Sequence, residues 1–422
     1  MTDSDIKSAI LDMGRRARAA SYALVKLTTA QKNAILIAMA DEIMARQDAI
    51  LAANALDLAR AEQNGLSKAM IDRLTLDPKR LKAVADAVRE VALLPDPVGE
   101  PLTDWTRPNG LHIRKVRVPI GVIGIIFESR PNVTTDAASL CFKTGNATIL
   151  RGGSEAIDSN RALAAALQAG GEHAGLPPDS IQLIPFTDRA SVEHMAQMDQ
   201  YLDLIIPRGG KGLIEKVVAT ARMPVIKHYD GVCHVYVHVD ADLDMAANII
   251  VNSKCQKPGV CNALETILVH QNLAATFYPL VGQRLLEAGV EIHADPTALQ
   301  NLGVPAQPAT EEDWSTEYLD LILAAKTVSG LDEAIAHINR YGSHHTDSII
   351  TKDRPAAERF QHEIDSAVVL HNASTRFNDG GEFGFGAEIG ISTDKLHARG
   401  PMGLAELCSY KYLVDGTGQV RG

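Results

Sequence analysis

Pro119-Ile120-Gly121-Val122-Ile123-Gly124-Ile125-Ile126-Phe127, running on into Glu128-Ser129-Arg130-Pro131-Asn132, is the stretch that decides the architecture. An unbroken apolar run from Val122 to Phe127 is what a strand buried on both faces requires. Helix-like text follows from Thr134 to Lys143, then a second apolar run, Ala147 to Leu150. The rhythm repeats downstream. Ile181 to Pro185, Leu202 to Ile206 and Val225-Ile226 read as strands, and Glu155 to His173, Arg189 to Met198 and Lys211 to Ala221 as helices. Apolar strands alternating with helices predict a parallel sheet covered on both faces. Such sheets take ligands outside the carboxyl ends of their strands. Three strand ends carry suitable loops: Glu128 to Asn132, Arg151-Gly152-Gly153-Ser154, and Pro207-Arg208-Gly209-Gly210-Lys211-Gly212. The chain has no Gly-x-Gly-x-x-Gly and no Walker-type loop. Arg208-Gly209-Gly210-Lys211 reads either as a phosphate cradle at a helix N-terminus or as an ordinary glycine turn.

Upstream, residues 4 to 95 read as helical, with apolar positions recurring at Leu36, Met39, Ala40, Ile43 and Met44. Thr28 and Thr29 are cap candidates, and Gly65 marks a boundary. Arg15, Arg16 and Arg18 read as a solvated helix face. Pro95, Pro97 and Pro101 break the helical pattern. Leu111 to Val118 alternates apolar with basic residues or His, as a strand with one wet face does. Its phase slips at Arg114-Lys115, which reads as a bulge. Asn109-Gly110 before it gives a hairpin turn.

Downstream, Val235 to Val239 alternates as a strand and Asp240-Ala241-Asp242 caps a helix reaching Lys254. Strand Leu264 to Val269, helix Leu273 to Ala288, strand Leu319 to Ala325, helix Leu331 to Asn339 and strand Ser348 to Thr351 follow. Asn378 to Gly403 is glycine-rich, and Ser409 to Val414 reads as a terminal strand.

The 422 residues are enough for two or three domains, and 46% hydrophobic with 22% charged residues is ordinary globular composition. A net charge of −11 argues against nucleic acid or an anionic membrane as the main partner. The N-terminus is not a secretory signal, and no apolar run reaches the ~18 residues that span a bilayer. Five scattered cysteines are not a disulfide framework, so a reducing cytoplasm is the expected setting.

Two of those cysteines lie in Lys254-Cys255-Gln256-Lys257-Pro258-Gly259-Val260-Cys261-Asn262-Ala263. Cys255 ends a helix, where packing is the expected role. Cys261 follows a Pro-Gly turn beside lysines and a run of backbone N–H groups. That is a setting for a reactive thiolate, although a small buried hydrophobe is the other reading.

Several blocks, in order, resemble the aldehyde dehydrogenase superfamily: Val118 to Ile126, Thr144-Gly145-Asn146-Ala147, and Asp240 to Asp244 ahead of the cysteine. Phe127 to Thr134, Ile206 to Gly210, Pro258 to Ala263, Tyr341-Gly342-Ser343-His344-His345-Thr346-Asp347 and Leu396 to Pro401 are similar to its gamma-glutamyl phosphate reductase family. The resemblance spans essentially the whole chain.

The resemblance implies an α/β, aldehyde dehydrogenase-like fold. It has two Rossmann-like three-layer α/β/α domains plus a small β oligomerisation element. The expected division is a NADP(H)-binding domain (1–97 and 119–228), a catalytic domain (229–401), and a hairpin with a C-terminal strand (98–118 and 402–422) that makes a dimer or tetramer. The implied reaction converts L-glutamyl 5-phosphate and NADPH to glutamate 5-semialdehyde, phosphate and NADP⁺ in proline biosynthesis. A transient contact with glutamate 5-kinase is a possible accompaniment. The family's nucleophile falls on Cys261 and the superfamily's oxyanion asparagine on Asn132, for which an ordinary turn asparagine is the alternative. Arg151 and Ser154 match the region near the adenosine ribose, with Arg208, Gly209 and Gly210 as further cofactor contacts. Glu317 matches the superfamily's nicotinamide-ribose glutamate. Arg130, Arg399, Ser392 and Thr393 are the candidates for substrate carboxylate and phosphate.

Hydrolytic members carry a general-base glutamate where this chain has His228-Tyr229-Asp230-Gly231. Its absence suits a thioester exchanged with phosphate rather than water, although His228 or Asp230 is a candidate substitute base. No metal is expected: adjacent His344 and His345 in a strand point to opposite faces and no other donors complete a set. Another aldehyde dehydrogenase activity and an inactive cofactor-binding scaffold are the competing readings.

Overall fold

The computed structural model describes residues 2–421. The chain divides into two compact units, one of residues 1–227, 384–390 and 402–422, the other of residues 228–383 and 391–401. The sequence division did not foresee that 384–390 returns to the first unit, because a glycine-rich segment carries no apolar pattern to show where it packs.

The first unit opens with helices α1 (Asp3–Leu24), α2 (Thr29–Ala45), α3 (Gln47–Gln63), α4 (Lys68–Leu74) and α5 (Pro78–Leu93). Thr28 caps α2 by accepting from the Gln31 amide, with Gln31 reaching back, whereas Thr29 is already helical. The arginines of α1 are not all a solvated face. Arg18 is three-quarters buried and binds Asp203 at 2.8 Å and the Tyr201 carbonyl at 3.0 Å. Helical spacing cannot reveal a partner that lies 185 positions away in the chain.

The sheet of this unit comprises β3 (Val122–Phe127), β4 (Ala147–Arg151), β5 (Ile181–Leu183) and β6 (Leu204–Arg208), ordered β5-β4-β3-β6, all parallel. Every residue of β3 is buried. Its Val and Ile side chains contribute about 1.5–3 kcal/mol each by leaving water. Helices α6 (Asn132–Lys143), α7 (Ile157–His173) and α8 (Ala190–Ala196) make the three crossovers, and α9 (Lys211–Thr220) follows β6. Val225-Ile226 is not a strand of its own: only an isolated bridge joins Ile205 to Val225.

A three-stranded antiparallel sheet, β1 (Pro101–Thr106), β2 (His112–Pro119) and the terminal β16 (Cys408–Asp415), runs in the order β1-β2-β16. Gly110, at φ +89°, closes the hairpin. The bulge lies in β1 rather than at Arg114-Lys115: Pro101 faces Val116 and Thr103 faces Lys115, so Leu102 is the extra residue. β2 pairs with β16 without interruption. The phase slip that marked β2 reflects residues flanked on both sides by strands, not an insertion.

The second unit is a parallel sheet of seven strands, ordered β10-β9-β11-β8-β7-β12-β13. They are β7 (Cys233–Val237), β8 (Leu264–His270), β9 (Glu291–Ala294), β10 (Gln307–Pro308), β11 (Ile322–Val328), β12 (Thr346–Ile350) and β13 (Val368–His371). Helices α10 (Leu243–Cys255), α11 (Ala274–Glu287), α12 (Pro296–Asn301), α13 (Leu331–Tyr341) and α14 (Arg354–Glu363) connect them. β11 starts three residues later than expected, because Leu319 sits at φ +56°, outside strand geometry. Short β9, β10 and β13 escaped the sequence reading, being too brief for a period to register. β14 (Gly390–Ser392) and β15 (Gly400–Met402) form a separate ribbon.

Candidate active site

The first unit holds a cavity of about 1020 Å³ at the carboxyl ends of its four strands. Glu128 and Ser129 after β3, Arg151 and Ser154 at the end of β4, Thr187 and Arg189 after β5, and Leu213 and Lys216 of α9 line it. Arg151 is almost fully buried; its Nη2 donates to the Thr187 carbonyl at 3.1 Å, while its Nε has no partner. Burial pulls the guanidinium pKa down, with Glu155 opposing. Ser129 donates from its amide (2.6 Å) and hydroxyl (2.7 Å) to Glu155. A deep, mixed-charge cavity with an under-bonded guanidinium suits a phosphorylated ribose better than an apolar ligand.

Arg208, Gly209 and Gly210 do not join Arg151 and Ser154 on this wall. The Gly210 amide donates to Glu128 at 2.9 Å, and a side chain at Gly209 would collide with that carboxylate. The expected phosphate cradle is therefore filled by the protein's own anion. Asn132 opens α6 and its Nδ2 donates to Asp136 at 2.8 Å. Burial pushes Asp136 up to about 6, against the Asn132 hydrogen bond. Asp136 fixes the amide of Asn132 and was missed in the sequence, although the one-turn spacing was there to read. Arg130 lies exposed in the loop before α6.

In the second unit the residues of interest all precede strands. His228 to Gly231 leads into β7, Cys261 into β8, Glu317 into β11, and Ser343 and His345 into β12. Because β11, β8, β7 and β12 are neighbours and parallel, these segments meet at the amino edge of the sheet. The loop carrying Cys261 is held at both ends. Lys254, before it, and Glu265, after it, form a fully buried ion pair at 2.7 Å. Burial pushes Glu265 up to about 7, with the Lys254 ammonium opposing. Lys254 is thus committed to the scaffold and is not the cation beside the thiol that the sequence suggested.

Gly231 lies so close to the loop that an added Cβ would stand 1.9 Å from the Cys261 carbonyl oxygen. No other residue fits there without moving the cysteine. The Gly231 amide donates to Glu317 Oε1 at 2.9 Å, and the Val232 amide to Ser343 at 2.8 Å. Cys233 donates its thiol to the Cys261 carbonyl at 3.2 Å. Glu317, expected at a cofactor ribose, thus braces the segment against which Cys261 packs.

The five cysteines are all thiols. Burial raises the pKa of Cys233 well above the ordinary value, and that of Cys141 and Cys408 to about 12. Cys255 is half-buried against the core, and burial raises it too. Cys261 is half-buried and shares a cluster with His228 and His345, whose ligand atoms all lie within 4.8 Å of one another; Cys233 also touches His345, with its Sγ 3.8 Å from Nδ1. The expectation that no donors complete a set with His345 is corrected here. His344 does turn away, to the Asp365 carbonyl at 2.6 Å, but His345 precedes β12 and is fully buried on the Cys261 side. Sequence spacing could not show this, because the three residues precede three different strands. Burial, then the neighbouring His228, holds His345 well below the ordinary histidine value.

Of the substrate candidates, Arg399 directs Nη1 to Asp365 Oδ1 (3.0 Å) and Nη2 to its carbonyl (2.9 Å), clamping that turn. Ser392 is fully buried and accepts from the Asp394 amide at 3.1 Å; Thr393 is half-buried. Among the described residues no helix is long and apolar enough to cross a membrane.

Comparison with known proteins places this arrangement. Residues 1–301 match the model of the aldehyde dehydrogenase family. The chain is 53% identical over 422 residues to a gamma-glutamyl phosphate reductase of Brucella anthropi, covering 100% of this chain and 99% of that one. It is 55% identical over 405 residues to one of Geotalea daltonii, covering 96% and 97%. The crystal structure of gamma-glutamyl phosphate reductase from Thermotoga maritima superimposes with a TM-score of 0.96 at 45% identity, covering 98% of this chain and 100% of that chain. The α/β fold with parallel sheets is thus that of the aldehyde dehydrogenases, oxidoreductases that use nicotinamide cofactors. With agreement along its full length, the chain belongs to the gamma-glutamyl phosphate reductases of the aldehyde dehydrogenase family.

Proposed function

We propose that this protein reduces L-glutamyl 5-phosphate to glutamate 5-semialdehyde and phosphate with NADPH, the second step of proline biosynthesis from glutamate. The observation that carries the reading is the full-length identity of 53% to a gamma-glutamyl phosphate reductase. In this reading the Cys261 thiolate attacks the acyl-phosphate carbonyl, and phosphate leaves with the bonding electrons. NADPH, when bound, supplies the hydride that the thioester accepts. The tetrahedral adduct then collapses to the aldehyde and regenerates the thiolate. His228 suits the proton transfers. Its Nδ1–H donates to the Ile391 carbonyl at 2.9 Å, which fixes the neutral tautomer with Nε2 as the basic atom.

Asn132, its amide oriented by Asp136, is assigned to the developing oxyanion. Arg151 and Ser154 are assigned to the 2′-phosphate of NADPH. Gly209, Gly210 and Glu317 keep only supporting roles on the cofactor side, given their protein partners, and Arg208 is assigned to the cofactor beside them. Arg130 with Ser392 and Thr393 is assigned to substrate anions; Arg399 acts through its clamp on Asp365.

The first unit is then the cofactor domain and the second the catalytic one. The β1-β2-β16 sheet is proposed as the oligomerisation element. It exposes Trp105, Tyr410 and Tyr412, an aromatic face suited to a second copy. A cytoplasmic setting agrees with five thiols, and transient delivery of the labile acyl phosphate by glutamate 5-kinase fits its chemistry.

The test runs the reaction in reverse. NADP⁺ reduction with glutamate semialdehyde should require inorganic phosphate and stop, by at least about 10⁴-fold, in Cys261→Ser. Turnover supported by water alone would instead identify a hydrolytic dehydrogenase. Loss of activity in Cys255→Ser but not Cys261→Ser would move the nucleophile.

A further inference from the structure

The mechanism above uses one thiol and one imidazole, yet the structure gathers a thiol and two imidazoles. Among the described residues, His228, Cys261 and His345 form the group whose ligand atoms lie within 4.8 Å of one another. Each imidazole already has its other nitrogen engaged. His228 Nδ1–H donates to the Ile391 carbonyl at 2.9 Å. His345 Nδ1 meets the Thr346 hydroxyl at 2.7 Å, and that oxygen in turn receives Asn378 Nδ2 at 2.6 Å. His345 Nε2 is fully buried and has no hydrogen-bond partner. Metal-bound histidines have this build: one nitrogen fixed by an outer hydrogen bond, the other presented to the ion. A nitrogen left without a partner in a buried site costs free energy unless something occupies it.

From this convergence of donors we infer that His228, Cys261 and His345 form a reversible binding site for a divalent ion of the zinc class. Two imidazoles and a thiolate select a borderline-soft ion such as Zn²⁺ over Mg²⁺ or Ca²⁺, which take oxygen ligands. Cys261 is half-buried, so the fourth position of a tetrahedral ion opens to water. The balance is simple. The thiol gives up its proton, its sulfur electron pair forms the Zn–S bond, and nothing is oxidised or reduced. Affinity therefore rises with pH. Because the same sulfur is the proposed nucleophile, the bound ion holds the enzyme inactive until a chelator removes it. This inhibitory consequence rests on the proposed role of Cys261; the metal site itself does not.

The experiment uses the full-length protein, reduced and stripped of metal with a chelator. Zn²⁺ is titrated calorimetrically, and Co²⁺ by absorption as a spectroscopic stand-in. One equivalent should bind, with a thiolate-to-cobalt band and the visible bands of a tetrahedral ion. The thiolate band should vanish in Cys261→Ser and persist in Cys255→Ser. Zn²⁺ affinity should fall at least about tenfold in His345→Ala and in His228→Ala. His228→Ala carries the test if loss of the buried His345 side chain prevents folding, as judged by circular dichroism. A missing thiolate band in the wild type, or unchanged affinity in a folded histidine variant, overturns the site. Stoichiometric binding with reductase turnover intact overturns the assignment of Cys261 as nucleophile and leaves the metal site standing.

Discussion

The two parallel sheets of this protein put their chemistry at opposite edges. In the first unit the cavity opens at the carboxyl ends of β3, β4, β5 and β6, where dipoles and loops of an α/β sheet ordinarily receive a ligand. In the second, Cys261, His228, His345 and Glu317 all stand before their strands, at the amino edge. The difference is one of construction. The first site is space left between crossover loops, and its residues keep some freedom. The second is backbone packed on backbone, with Gly231 against Cys261 and Lys254 bonded to Glu265 beneath. A pocket for a ligand tolerates slack, whereas a nucleophile needs its position fixed to fractions of an ångström.

Perturbing each edge sharpens the contrast. Lys254→Met leaves Glu265 without its counter-ion in a dry interior, where burial drives the carboxyl to take up a proton. It should lower unfolding free energy by about 3–5 kcal/mol in denaturant titration. A loss under about 1 kcal/mol would mean that water reaches the pair. Gly231→Ala should cut kcat about 100-fold, since a shift near 1 Å at the nucleophile costs that much. NADPH binding, followed by fluorescence, should stay unchanged; an equal loss in both would erase the distinction between the edges.

Asp313 tests the framework behind Glu317. Burial pushes its carboxyl up, but hydrogen bonds from Tyr318, Thr310 and His293 outweigh this and hold it at about 2. A carboxyl depressed in the folded state contributes stability above its unfolded value, near 3.8, and loses it as pH falls through about 2. Asp313→Asn should therefore remove about 2 kcal/mol at neutral pH and flatten the acid limb of the stability profile. An unchanged slope between about pH 4 and about pH 2 would sink the assignment. Arg151→Ala should raise KM for NADPH about tenfold or more while leaving that for NADH nearly unchanged, as expected for one charge-assisted contact. Equal effects on both cofactors would place Arg151 away from the 2′-phosphate.

Much of this was legible in the sequence. The strand from Val122 to Phe127 reads as buried because nothing in it is polar, and the alternation after it allows only a parallel sheet. Cys261 stood out because Pro258-Gly259 ends one element just before it. What escaped notice involved partners far apart in the chain. Glu128 on the Gly210 amide and Arg399 on Asp365 each turn a plausible functional group into a structural one, and Arg18 on Asp203 turns an expected solvated residue into a part-buried ion pair. Asp136 was local enough to find, one helical turn beyond Asn132, but a single carboxylate on a helix carries no distinguishing mark.

The sequence by itself determined the alternation of strands and helices, the family blocks, and the cysteine that a turn presents, because hydrophobic period and turn chemistry are local properties. Only the tertiary structure decided that Lys254 serves Glu265 rather than the thiol, and that His228 and His345 flank Cys261 instead. The reason is strand order. Residues 228, 261 and 345 become neighbours when β8, β7 and β12 lie side by side and parallel, and no spacing along the chain encodes that order.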